Sequence, residues 1–495
     1  MKKLLLMFSI AVSGVLFVHC DDEETTPDGP VITAPAVSNV EVGSSIEVAF
    51  NIVTPGGFSS AEVSAEGGTA VIAATPEDGA TEGQVVAVFT ADETEGAATI
   101  TVTVKDKNNK SDSQTAAISK QSVVTEVIVS GNVTQNTTWK TGKSYILTGR
   151  ITVLDGVTLT IEPGVIVKGQ AGTQANATAL MVARGGKLMA EGTPELPIIF
   201  TAIADEITPE DVAAGNIASP NLDPTTQGYW GGLIILGRAP ISASASEVQI
   251  EGIPTSDTNG LYGGDDPDDN SGVLRYVSIR HGGTNIGAGN EINGLTLGGV
   301  GSGTVIDHIE VIANQDDGIE WFGGTVNVTN VVVWNVGDDA IDTDQSWAGT
   351  LDNFVVVTPG GSCFELDGPE GAMKAGHVIR NGTIVASGEE LSAGALVDLD
   401  PSSIVELENL LFTQIIDGQL FGFIDQDGFN GTCNDDGCPF IGIELLLPDG
   451  KGLSDFIQDG AAPAGVSGVT TPTVGADITD FGWTWTSRSG ALAGL

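Results

Sequence analysis

Basic residues are scarce in this chain of 495 residues: Lys and Arg number 19 against 65 acids, a formal charge of −46 at pH 7. A surface of that sign repels a phosphate backbone, which argues against nucleic acid and leaves cations, amines and neutral sugars as compatible partners. Aromatic residues make up only 5% of the chain, and no long helical period stands out. Short runs of Val, Ile and Thr, punctuated by 67 glycines, point instead to many strands joined by tight turns. The class expected is all-β.

A long apolar run occurs only at the N-terminus. Lys2 and Lys3 precede an apolar stretch from Leu4 to Val18, too short for a membrane span and right for a signal peptide over residues 1–19. The stretch ends at Cys20 and resembles a bacterial lipoprotein signal, which implies acylation of Cys20, removal of the leader and a membrane held through a lipid. His19 stands where such signals carry a small residue. The acidic, Pro-bearing segment 20–32 cannot bury a core and reads as a tether. Its acids directly after the Cys resemble the surface-export signals of Bacteroidetes outer-membrane lipoproteins.

Cysteine is sparse, with 4 in all. Cys433 and Cys438 in "TCNDDGCP" read as a short-loop disulfide of an oxidising compartment, since no second Cys or His pair accompanies them as a metal site requires. Cys363, next to Phe364, reads as a small buried residue.

Residues 33–120 alternate apolar and polar in bursts such as "SIEVAFNIV" and "ATITVTVKD", the period of half-buried strands. They form a small β-sandwich that resembles immunoglobulin-like surface modules. From 126 the texture changes, and an internal repeat emerges. Six segments align, starting at Leu274, Ile306, Val328, Leu351, Ile379 and Leu407, with intervals of 32, 22, 23, 28 and 28 residues. A minimum near 22 suits one coil of three short strands and three turns, with insertions at a turn. The first and sixth columns are apolar throughout. The third holds Tyr276, His308, Asn330, Asn353, Asn381 and Asn409, a turn ladder in which amides bond coil to coil.

These features resemble the right-handed parallel β-helix of the pectin-lyase-like superfamily over 126–440, with 441–495 as a C-terminal cap. That fold hosts lyases, hydrolases, adhesins and passive stalks, so the resemblance alone assigns no activity.

Acid clusters recur on the repeat in "DDGIEWF", "DDAIDTD" and "SCFELD". Ile319, Ile341 and Phe364 should point inward, so strand alternation sends Glu320, Asp342 and Glu365 outward, followed two residues on by Phe322, Asp344 and Asp367. Three readings follow. Asp316, Asp317, Asp338 and Asp339 can be turn residues within a solvated surface. Asp342, Asp344, Glu365 and Asp367 can hold Ca2+. "GDDAID" also resembles the aspartate pair of polygalacturonases, which implies Asp338, Asp339 and Asp342 as catalytic acids. The Gly-His-Gly and Arg-Ile-Lys signatures of that family are missing. A lyase base is harder to place, because Arg380 shares a column with Asp352 and Glu408, and Arg280 and His281 have no fixed acid beside them in sequence. Trp334 and Trp347 are expected near the acidic face, where indole rings can stack on sugars. The favoured function is a non-catalytic glycan-binding or adhesive surface module, with a polysaccharide-active enzyme as the rival.

Overall fold

The computed structural model describes residues 26–495 except 37, 122–124, 174–175, 286–291, 401 and 423–439. Cys20, the leader and the Cys433 and Cys438 pair therefore lie outside the described residues. The chain divides into two compact units at Val124 and Thr125.

In the first unit, two four-stranded sheets enclose one core built from Val48, Phe50, Phe89, Ile100, Val102 and Val104. Pairing is antiparallel except between Ser38–Glu41 and Ser111–Gln121. Residues 45–53 and 96–106 alternate buried and open along their length, as their sequence period requires. Val31 and Ile32, placed in the tether from sequence, already pair with Val53 and Ile52.

The second unit is a stack of parallel strands. Eight short strands form one face, among them Leu233–Leu236, Leu295–Gly298, Ile319–Phe322, Ile341–Asp344 and Phe364–Leu366. A 15-stranded sheet wraps the rest, and its pairing runs past residue 440 through Phe440–Leu446 to Val466–Val469. Three columns explain the winding. Leu274, Ile306, Val328, Leu351, Ile379 and Leu407 pair coil to coil and are buried, as are the sixth-column residues Ile279, Val311, Val333, Val356, Ile384 and Phe412. Between them the six turn-ladder residues all take positive φ, from 50° at Tyr276 to 58° at Asn353. That left-handed step bends each strand without breaking it, and Asn tolerates it better than other residues with a Cβ. Asn353 donates to Asn330 at 2.8 Å, and Asn409 to Asn381 at 3.1 Å. In the neighbouring column Arg380 bonds Asp352 at 2.8 and 3.0 Å, the cross-coil ion pair expected from register.

Two segments cover this stack. The excursion between Leu236 and Gly272 lays Ile241, Ile250, Ile253 and Tyr262 over the eight-stranded face. The C-terminal stretch lays Phe481, Trp485 and Leu492 on outward-facing Ile312, Val332, Trp334, Val355 and Val357 of the larger sheet.

A carboxylate face as candidate functional site

The eight-stranded face carries one outward column whose chemistry changes along the stack. Met181, Ile234, Thr296, Glu320, Asp342, Glu365 and Asp398 are successive Cα partners. Its first members are apolar and lie under the excursion at 241–262. From Glu320 onward the column is acidic. Phe322 and Asp344 pair in a second outward column, and Asp367 and Asp400 extend it by backbone bonds to Thr343 and Leu366. Parallel strands place such groups roughly 4.8 Å apart across coils.

Burial divides these acids. Asp317, Glu320, Asp339 and Asp342 are buried, while Asp344, Glu365, Asp367, Asp398 and Asp400 are partly open. The cover at the Asp344 end is a fixed polar frame. Tyr262 donates to Gln345 at 2.9 Å, Gln345 donates to Glu370 at 3.1 Å, and Ser242 donates to the Met373 carbonyl at 2.6 Å.

Electrostatics follow from crowding. Burial, then the charges of neighbouring carboxylates, push Asp317 and Asp342 well above the usual carboxylate range, and burial followed by Asp317 does the same to Glu320. Glu365 is pushed up to about 9, first by its hydrogen bond to Asp339 and then by burial. Burial raises Asp344 to about 7 and Asp367 to about 6. A site of this kind presents protonated and ionised oxygen groups side by side at neutral pH.

The chain matches the family described as the pectate-lyase like beta helix domain over residues 131–418, more than half its length. It belongs to that family. The structure of the Yersinia enterocolitica family 28 exopolygalacturonase aligns over 78% of this chain and 92% of that one, at 12% identity and a TM-score of 0.18. So low a score makes the superposition uninformative about the site. No curated protein matches the chain.

On this pectate-lyase-like β-helix the expected residues fall in different places. The register expected for Glu320, Asp342 and Glu365 is the one observed. Asp339 and Asp342 are buried on the carboxylate face and Asp338 is exposed at its edge. The Asp residues before the strand bond the next coil as well as turning the chain: Asp317 accepts from the Asp339 backbone N–H at 3.0 Å, and Asp339 accepts from that of Ser362. Of the four acids expected to hold a cation, only Asp342 belongs to a convergent set among the described residues. The convergent set is Asp317, Glu320 and Asp342, whose ligand atoms lie within 4.8 Å of one another.

The tryptophan expectation is corrected. Trp347 is a core residue stacked on Trp321 with centroids 4.7 Å apart, and its Nε1 donates to the Val326 carbonyl. Trp334 lies on the other sheet, edge-on to Trp485 at 6.0 Å. Neither presents a ring to solvent. Arg280 and His281 are buried as well, under the C-terminal stretch and the loop at 217–226, and so are not an exposed base. Cys363 is buried and free, as expected. The covering excursion was missed from sequence, although Ile241, Ile250, Ile253 and Tyr262 between two repeat strands were the signal for it.

Proposed function

We propose that this protein is a surface-anchored β-helix lipoprotein whose partly open acids bind a neutral or amino-bearing glycan without cleaving it. The observation that carries this reading is the outward column at Glu365 and Asp398, flanked by Asp344 and Asp367 and reached by solvent. Burial raises Asp367 and Asp398 first, and the neighbouring charges that raise them further are all carboxylates. Carboxylates accept hydrogen bonds from hydroxyls and attract ammonium groups, whereas a uronate chain meets like charge. Family membership supports a polysaccharide-related role but does not choose between binding and catalysis. The Lys2, Lys3, Leu4–Val18 and Cys20 pattern supports a lipid anchor in a Bacteroidetes-type outer membrane, with the first unit as an immunoglobulin-like spacer.

The full chain should be retained on immobilised chitosan or neutral glucan and not on polygalacturonate, and the double variant Asp367→Asn, Asp398→Asn should bind at least tenfold more weakly. Retention by none of the three overturns the reading. Cys20→Ala should release the protein from membranes.

One observation favours a second reading, glycoside hydrolysis. Glu365 at about 9 and Asp367 at about 6 sit two residues apart, roughly 6.5–7 Å along an extended chain. That separation lies in the inverting range, and a protonated acid beside an ionised base is what the reaction needs. Release of reducing ends that disappears in Glu365→Gln establishes it over simple binding.

A further inference from the structure

We infer that the free edge of the first unit, strand Gly68–Ala74, takes up an extended basic segment of another protein as an added β-strand. This inference does not rest on glycan binding.

The first observation is a strand whose backbone is paired on one side. Gly68–Ala74 ends its four-stranded sheet and pairs antiparallel with Glu82–Ala91. The Gly67 carbonyl accepts from the Asp92 N–H at 3.2 Å, while the Ala91 N–H turns the other way to the Ser44 carbonyl at 2.9 Å. Alternation therefore aims the backbone of Thr69 and Val71 at Thr90 and Val88, and aims the N–H and C=O groups of Gly68, Ala70 and Ile72 away from the sheet. Among the described residues no strand pairs with that side.

The second observation is that this edge lacks what protects the other three edges of the unit. Val31–Thr33 and Ser38–Glu41 are short, and the Asp112 carboxylate accepts from the Ile32 backbone N–H at 2.9 Å. Phe58–Glu66 carries Glu62 and Glu66 and a register shift between Phe58 and Ser60. Residues 67–76, in contrast, hold no charged side chain, and their register runs unbroken from Gly68 to Ile72 before it shifts toward Ala74. A long uncharged edge is a template for a further strand. Apolar side chains continue it: Val71 is 63% exposed and is the Cα partner of Val88, and Val88 and Val86 lie half-buried on the same outer face. An incoming strand that alternates apolar and polar residues would lay its apolar side chains beside these.

Charge decides the occupant. Residues 51–104 contain no Lys or Arg, and Glu66 at one end of the strand and Glu77 and Glu82 at the other are exposed. Lys107 and Lys120 are paired with Asp78 and Asp92. A second copy of this chain, paired antiparallel about Ala70, would set the Glu66 end of each strand against the Glu77 end of the other, like charge on like. An extended segment flanked by Lys or Arg meets both ends with opposite charge while its backbone completes the sheet.

The test titrates the full chain with a synthetic peptide of alternating Thr and Val carrying a pair of lysines at each end, with hydrogen exchange as the readout. Binding should slow exchange of the Gly68, Ala70 and Ile72 amides at least tenfold, and it should weaken as salt is raised. The same peptide with glutamates in place of the lysines should bind at least tenfold more weakly. A peptide N-methylated at every central residue, which cannot pair along either edge, should not bind. Ala70→Pro removes one outward donor and leaves the pairing with Glu82–Ala91 in place, so it should lower affinity at least tenfold with the first unit still folded. Should that variant fail to fold, the N-methylated peptide makes the same comparison on the unaltered protein. No binding at millimolar peptide, protection confined to other residues, or equal binding of the N-methylated peptide overturns the inference. Protection of the same three amides that grows with protein concentration alone also overturns it, and assigns the edge to a second copy. Glycan retention through Asp367 and Asp398 is read separately, so either proposal can fail alone.

Discussion

Glu365 hydrogen-bonds the side chain of Asp339 on the preceding coil, and this contact is the largest influence holding Glu365 up to about 9. Glu365 sits where the outward column opens to solvent, so its proton exchanges with the medium.

That contact fixes the sign of a pH dependence. A carboxyl whose folded value lies above its unfolded one binds more protons when folded. Its contribution to stability is complete below the ordinary carboxylate value and is lost as pH rises through the folded value. For Glu365 the window runs from 4.5 to about 9, and Asp367 and Asp344 add losses up to about 6 and 7. Chelator-treated protein should therefore melt highest near pH 5 and fall toward pH 9, with Glu365 contributing on the order of 1–2 kcal/mol after allowance for its partial exposure. Glu365→Gln should flatten the upper part of the profile at constant ionic strength. A melting temperature that climbs from pH 5 to 8 contradicts the assignment.

Trp347 and Trp321 stack inside the coil, and Trp347 is 1% exposed. Trp347→Ala should cost about 3–5 kcal/mol, the range for emptying a large aromatic site in a core. Its effect on glycan retention should be no greater than its effect on the folded fraction. Retention lost by a variant with unchanged circular dichroism and melting would restore a direct role for the ring.

The coil was readable because its physics repeats. A column that is apolar in six coils, or Asn in four of them, can be recognised without coordinates, and register then follows for Glu320, Asp342 and Glu365. What repeats only once cannot be recognised in this way. The excursion carrying Ile241 and Tyr262 interrupts the period, and nothing local states that it folds back over Glu320, so acids expected at the surface are covered. Trp334 was assigned to the wrong face for a related reason. Its partner Trp485 lies far along the chain, and the clue was the outward pairs Val332 with Trp334 and Val355 with Val357, where alternation should have given polar residues.

The turn ladder makes a prediction about backbone shape. Asn353 has φ of 58°, accepts from the Asp477 backbone N–H at 2.8 Å and donates to Asn330. Its Nδ2 also donates to the Asp477 carbonyl at 3.0 Å, so Asn353→Ala removes three bonds and leaves a Cβ in the left-handed region, for an expected cost of about 2–3 kcal/mol. Asn353→Gly loses the same bonds but escapes the backbone strain, so it should cost about 1 kcal/mol less. Equal melting temperatures for the two variants would show that the bend is set by the neighbouring coils and not by residue 353.

The C-terminal stretch is held by a buried charge pair. Arg280 and Glu310 are both fully buried with nitrogen and oxygen 3.6 Å apart, and Glu310 also accepts from the Thr486 backbone N–H and hydroxyl, each at 2.9 Å. Arg280 lies over the Trp485 ring at 5.1 Å and donates to the Ile217 carbonyl. One acid thus ties the sheet to the chain end, and one base ties the same spot to the loop at 217. Glu310→Gln keeps the shape but leaves the guanidinium without its counter-ion, which should cost about 3–5 kcal/mol. The loss should appear first as local opening, because Glu310 holds Thr486 of the chain end directly. Thermolysin should therefore cut within 476–495 in the variant at temperatures where the rest of the β-helix stays intact. Simultaneous digestion of the whole unit would mean that the stretch is part of the cooperative core, with Glu310 supporting the stack itself.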